Sequence, residues 1–344
     1  MRSTENCFST PYAEDILIGS TPNVVFDFSG VSIAEQMTFL SADTEIPFDD
    51  PIEYNLVWDF GDGTAPEPQA GRAPKTKTYV APGIYKVTLD VTSGKGCNAV
   101  LEKDVVMVDK FTPTDLVAYQ ETFETSDGNW QVFKESGHPS TASWQWGAPN
   151  ATVINTSING ANVWTTNLTG PHNPGERSYL YTTCFDMTQL ERPMISFNSL
   201  VQLGTGDGVV IEYSTDNRNI ADPAKSWNLL GDFEASVPSG VDWYNALGLP
   251  SKPGDQITGD FGWSGSNITE WLESKHILDE IDNPDTPGGP LTPINNVVFR
   301  FGIASLNQNP QRDGFAMDNI RIGNRTRTIL VENFTNKGNP ASGP

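Results

Sequence analysis

From Pro22 to Ile322 apolar residues come in short runs that break at Gly, Pro, Asn or Asp. In Ile84, Tyr85, Lys86, Val87, Thr88, Leu89, Asp90 and Val91 the apolar positions largely recur every second residue. That period turns one face of an extended strand to a core and the other to water. NVVFDF, MTFLSA, YNLVWDF, TKTYV, GIYKVTLDV and AVLEKDVVMV follow one another to Val108, and MISFNSLVQL, GVVIEYST, NNVVFRFGIAS and FAMDNIRI continue the pattern to Ile322. Gly61-Asp62-Gly63 and Ala81-Pro82-Gly83 punctuate the first set, where Gly permits positive φ and Pro presets φ for a turn. Many short strands with such spacing fold as β-sandwiches or barrels. At 344 residues the chain exceeds the ~100 to 200 of one domain, so two cores are expected.

Charge decides which partners suit such a chain. Lys and Arg number 21 against 43 Asp and Glu, a formal charge of -22. That excess repels phosphate backbones and anionic headgroups, so nucleic acid and direct membrane insertion are not expected, and divalent cations suit it better. No run approaches the ~18 to 20 apolar residues of a membrane span. The opening MRSTENCFSTPYAED has no apolar h-region, so any secretion signal is expected to have been removed. Cys7, Cys97 and Cys184 are too few and too dispersed for a zinc cluster or a disulfide framework. Each reads as a small buried hydrophobe, with a Cys7 to Cys97 bridge left open.

YNLVWDFGDGT at 54–64 and KTYVAPGIYKVTLDV at 77–91 resemble the PKD family of immunoglobulin-like modules. The resemblance implies that residues 22–108 form a β-sandwich with Trp58 filling its core and Tyr79 packed nearby. Asp59 and Asp62 have two uses there, a cation site or, more commonly, acceptors for turn amides. Residues 1–21 read as an N-terminal segment. Asp109–Val117, with charged residues, a Pro and two Thr, reads as a linker.

Residues 118–323 carry ETFET at 121, SWQWGAP at 143, NVWTTNLTG at 162, RSYLYT at 177, DGVVIEYSTDN at 207, DWYN at 242, GWSG at 262 and DGFAMDNIRI at 313. Their order is similar to that in the MAM-like or cleaved-adhesin jelly rolls of bacterial surface proteins. The expected fold is therefore all-β, an immunoglobulin-like PKD β-sandwich plus a larger jelly-roll β-sandwich. Asp279–Pro293 looks like an insertion, and Cys184 stands where an ordinary strand-end residue is expected. One stretch is contested: Asn267 with Glu270 could form a capping box, and Ile268, Trp271, Leu272 and Ile281 have roughly helical spacing. The resemblance places Trp271–Leu278 on a strand, and the strand is preferred because sheet pairing often overrides propensity. In the tail, 324–344, TILVENFTN resembles the opening of Omp28-type thioredoxin-like domains, with Lys337-Gly338-Asn339-Pro340 where redox-active relatives carry a Cys pair.

His138, His172 and His276 lie in no recognisable catalytic motif, and with so many acidic residues a nearby carboxylate pair is uninformative. The chain is expected not to be an enzyme. Trp144 and Trp146 alternate onto one face and are candidate ligand-binding residues, a stacking platform for a glycan, although core packing is the commoner use of such rings. A calcium ion is expected where a closed jelly roll joins its ends, on Glu121, Glu124 and Asp318, because matching acidic positions lie at a cation site in related domains. Calcium takes about six to eight hard oxygen ligands. An inward Asp318, between Met317 and Ile320 in a strand, is costly without a cation or donors. Backbone amides, Arg300 or Arg321 are the competing partners. The resemblance further implies a location outside the cell or on the outer-membrane surface, export by the type IX route, and binding of a surface protein, a glycan or outer-membrane machinery in adhesion, gliding or envelope assembly. A carbohydrate-binding or accessory portion of a secreted hydrolase or peptidase is the alternative.

Overall fold

The computed structural model describes residues 13–14, 19–30, 32–41, 43–45, 54–138, 141–215, 227–233, 240–254, 256, 260–279, 281, 295–307 and 312–325. Among them there is no helix, only strands, turns and loops. They fall into two compact units, one drawn from Met1–Asp27, Phe39–Lys75 and Lys86–Asp104, the other from Phe28–Thr38, Thr76–Tyr85 and Val105–Pro344.

The first strands are β1 (Asp27–Ser29), β2 (Met37–Leu40), β3 (Asn55–Asp59), β4 (Glu67–Gln69), β5 (Lys75–Lys77), β6 (Gly83–Thr92) and β7 (Asn98–Met107). One sheet runs β4-β3-β6-β7 and another β1-β2-β5. β3 is antiparallel to β6 with Trp58 opposite Leu89. Because alternate residues share a face, Leu56 and Trp58 are buried together with Val87, Leu89 and Val91. The Trp58 ring lies 5.1 Å from Phe26 and 5.9 Å from Phe60. Its Nε1 donates to Gln69 Oε1 at 2.7 Å, so the one polar atom of the ring is satisfied inside the core. Gly61 has φ 67°, and a Cβ there would come within 2.5 Å of the Lys86 carbonyl oxygen, so this turn needs glycine. Tyr79 is buried, with its ring 4.1 Å from that of Tyr85.

The remaining strands are β8 (Lys110–Phe111), β9 (Tyr119–Glu121), β10 (Gln131–Lys134), β11 (Trp144–Gly147), β12 (Val163–Thr166), β13 (Arg177–Phe185), β14 (Pro193–Gln202) and β15 (Gly208–Ser214). They continue with β16 (Asn228–Leu229), β17 (Gly240–Val241), β18 (Ala246–Leu247), β19 (Phe261–Gly262), β20 (Leu272–Ile277), β21 (Val297–Ala304) and β22 (Gly314–Asn324). One large sheet runs β10-β13-β21-β15-β16 with β8 added on β13. The other runs β11-β12-β22-β14-β20-β17 with β9 added on β22. Between them lies an aromatic core, in which Phe197 of β14 meets Trp243, Trp263 and Phe301 at 5.9, 5.7 and 5.2 Å. The last long strand sits inside its sheet, and Glu121 of β9 pairs with Ile320 of β22, so the two ends of this sandwich meet.

Leu272–Ile277 is a strand, paired with β14 from Leu272 opposite Ser199 to Ile277 opposite Met194. The ladder of β14 outweighs the capping-box signal at Asn267. Lys110 and Phe111 belong to the sheet and not to a linker, because Phe111 packs its ring 5.3 Å from Tyr119 and the segment pairs in parallel with the end of β13. Cys184 is a buried residue of β13 whose thiol is pushed up to about 12 by burial. Most of Asp279–Pro293, the tail from 326 onward and Cys7 lie outside the described residues, and Cys97 carries a free thiol.

Candidate functional site

The seam where β9 meets β22 is organised by a register shift opposite β14, between Ser196 and Asn198. Asn319 takes φ 53° there. A bulge of this kind adds a residue to one strand, so Met317 and Ile320 both reach the core while Asp318 faces the other side of the sheet. Asp318, next to the inward Met317, is thus an outward acid, fully buried beneath the 153–162 loop.

That loop hangs on three carboxylates. Asp313 accepts the amides of Val153 and, at 3.0 Å, Ile154. Asp318 accepts the amide of Ile158 at 3.0 Å and that of Asn319 at 2.7 Å. Glu124 accepts the amides of Ala161 at 2.8 Å and Asn162 at 3.1 Å. Gly160, with φ 77°, lies against Glu124 so closely that a Cβ would fall 2.1 Å from the carboxyl carbon. Burial lifts Asp318 above the usual carboxylate range and the Glu124 charge lifts it further, while the amides of Ile158, Asn319 and Asn159 oppose the shift.

Of the predicted calcium ligands, the structure brings Glu124 and Asp318 together. Glu121 instead accepts the amide of Phe123 at 2.8 Å. Among the described residues no group of three or more His, Cys, Asp or Glu side chains is arranged to hold a metal ion. The three-carboxylate set expected for calcium is therefore not assembled among the described residues. Asp59 and Asp62 serve turns: Asp59 accepts the amide of Gly61 at 2.9 Å, and Asp62 accepts the amide and hydroxyl of Thr64 at 3.1 and 2.6 Å.

Trp144 is 4% exposed and sits in the core with its ring 6.2 Å from Phe315, so it has no free face for a sugar. Trp146 is half-buried, packs on the same core and donates from Nε1 to the Phe123 carbonyl at 2.7 Å. Both rings therefore pack as scaffold.

A second cluster escaped the sequence reading. Tyr181, Arg300 and Glu212 lie in register across β13, β21 and β15, on the sheet face opposite the core. The Arg300 guanidinium carbon is 3.9 Å from the centre of the Tyr179 ring and 4.0 Å from that of Trp227. Its Nε donates to Glu212 Oε2 at 2.8 Å and its Nη1 to the Tyr181 hydroxyl at 3.1 Å. Arg300 alternates with the core residues Phe299 and Phe301, and Tyr179 and Tyr181 flank the core residue Leu180, so period-two reading could have put them on one face. Only pairing of the strands shows that they touch.

The histidines are also placed by packing. His172 is buried with Nε2 3.6 Å from Asp207 Oδ2. His276 is buried on β20 with its ring 4.7 Å from Trp243, and burial lowers its pKa.

With this geometry described, comparison with known proteins separates the two halves. Residues 21–108 match the PKD domain family, so the chain carries a PKD domain ahead of a larger two-sheet β-sandwich. No curated protein sequence matches the chain. Among solved structures it is similar to the PKD1 domain of Vibrio anguillarum Epp, at 18% identity and TM-score 0.23, over 26% of this chain and 96% of that one. It is similar to the K1 cleaved adhesin domain of Lys-gingipain from Porphyromonas gingivalis, at 12% identity and TM-score 0.33, over 61% of this chain and 99% of that one. A carbohydrate-binding module of the β-sandwich superfamily is 15% identical with TM-score 0.31, over 89% of this chain and 99% of that one.

Proposed function

We propose that the chain is a non-catalytic extracellular binding protein in which the PKD domain is a spacer and the larger sandwich recognises a surface protein or glycan. What supports this reading is the use made of polar groups in that sandwich. His172, His276, Glu212, Arg300, Asp313 and Asp318 are all buried in contacts that fix strands and loops, as in a rigid recognition scaffold and unlike residues that must meet a substrate. Adhesion, gliding or envelope assembly at the outer-membrane surface, after export by the type IX route, is the role assigned. Retention of the chain on bacterial cells or on a glycan array is expected, and deletion of residues 118–322 is expected to abolish it. Retention that survives this deletion sinks the reading, as does none on either surface. Sugar-specific retention identifies the ligand as a glycan, and retention on cells alone identifies a protein.

We further propose a calcium ion at the Glu124 and Asp318 pair. The observation that favours it is two neighbouring acidic side chains with no Lys, Arg or His paired to either among the described residues. A bound ion stabilises the folded state by about 2.7 kcal/mol at a hundredfold excess over Kd. The melting midpoint is expected to rise with calcium and fall with chelator in the native chain, and to respond to neither in Asp318→Ala. An unchanged native midpoint removes the ion.

A further inference from the structure

Lys110 and Asn296 are 186 positions apart in sequence, yet Lys110 Nζ lies 2.6 Å from Asn296 Oδ1. Their strands explain the meeting. Cys184, near the end of β13, pairs on one side with Lys110 of β8 and on the other with Val298 of β21. Asn296 stands just before β21. Glu35 Oε1 is 3.6 Å from the same Nζ, and the side chains of Lys110 and Glu35 keep only 20% and 23% of their exposure. Cys184 Sγ is 3.9 Å from Asn296 Oδ1, and Cys184, Phe185 and Val297 are buried alongside. All of these residues belong to one compact unit.

A lysine that needs only a counter-ion usually lays its stem on the surface and leaves its ammonium in water. This one is turned to a side-chain amide, with a carboxylate beside it and an apolar wall behind. An amine, an amide carbonyl and a proton carrier are the parts of an acyl transfer. The geometry points to an intramolecular isopeptide cross-link between Lys110 and Asn296, formed with Glu35 as the proton carrier. Lys110 gives one ammonium proton to Glu35, and the freed amine attacks Asn296 Cγ. The Nζ–Cγ bond forms and the Cγ–Nδ2 bond breaks. Nδ2 leaves as ammonium, taking one proton from Nζ and the proton held by Glu35, which ends as a carboxylate. No oxidant, reductant or other reactant is needed. Oδ1 is about 1.2 Å from Cγ, which places Nζ within reach of the ~3 to 3.5 Å of a near-attack arrangement. The product closes the chain from β8 to the start of β21 into a covalent ring, and a cross-link across so long a loop restricts the unfolded state strongly.

Intact mass measured under denaturing conditions tests this directly. The native chain is expected to be lighter than its sequence by one ammonia, about 17 Da, and proteolysis is expected to yield one branched peptide joining residues 110 and 296. Lys110→Arg and Asn296→Ala are expected at full mass and with lower melting midpoints. Glu35→Gln, which removes only the proton carrier, is expected to fold without the cross-link and keeps the comparison valid if the other variants do not accumulate. A succinimide at Asn159-Gly160 also loses ammonia, so a deficit that persists in Lys110→Arg overturns the proposal, as does a native chain of full mass or one without the branched peptide.

Discussion

Arg300→Met is expected to destabilise the larger sandwich by about 3 to 5 kcal/mol, because it leaves Glu212 ionised and buried without its guanidinium partner. The effect is large for a single site because both side chains are almost closed to solvent, at 5% and 1% exposure. The two rings that sandwich the guanidinium lose their contact at the same time. Adding Glu212→Leu to Arg300→Met is expected to recover most of the loss, since an apolar pair of similar volume has no charge to desolvate. Urea denaturation of the native, single and double variants measures this. A single variant within about 1 kcal/mol of native stability would place the pair among surface-like ion pairs and refute the assignment.

Trp58→Ala is expected to cost about 3 to 5 kcal/mol in the PKD domain, the usual loss on emptying a buried aromatic site. A domain of this size has only about 0.05 to 0.15 kcal/mol of stability per residue, so the loss leaves it at or near the unfolding threshold. The ring also carries its hydrogen bond to Gln69 and its contacts with Phe26, Phe39 and Phe60. Trp58→Phe keeps much of the volume and is expected to cost less. Limited proteolysis is the measurement: new cleavage within residues 22–108 is expected for Trp58→Ala, and a native-like digest of that variant contradicts the core role.

How much of this was legible beforehand differs by residue. Trp58 was legible as a core residue because WDFGDG resembles the PKD motif, whose Trp fills the core, and such a motif acts over a few neighbouring positions. The period-two runs likewise gave the all-β class. Glu121, Glu124 and Asp318 could be named together because the resemblance implies a closed jelly roll that joins its ends, and of these the structure brings Glu124 and Asp318 to one loop. The return of Ile320 to the core face and the seat of the 153–162 loop on Asp318 could not be read, since the bulge after Asp318 depends on the register with β14. Trp144 reads as core more readily than as platform, and Phe315 placed against its ring decides for the core.

By itself, then, the sequence determined what local chemistry determines: strand period, turn glycines such as Gly61, the PKD segment, and a charge of -22 that disfavours polyanions. The tertiary structure decided which distant side chains share a neighbourhood. Arg300 with Glu212 and Tyr179, the three carboxylates with the 153–162 loop, and Lys110 with Asn296 and Glu35 are all set by strand order and register. A one-residue slip would move every side chain of a strand to its other face, and no local propensity specifies which strand lies next to which.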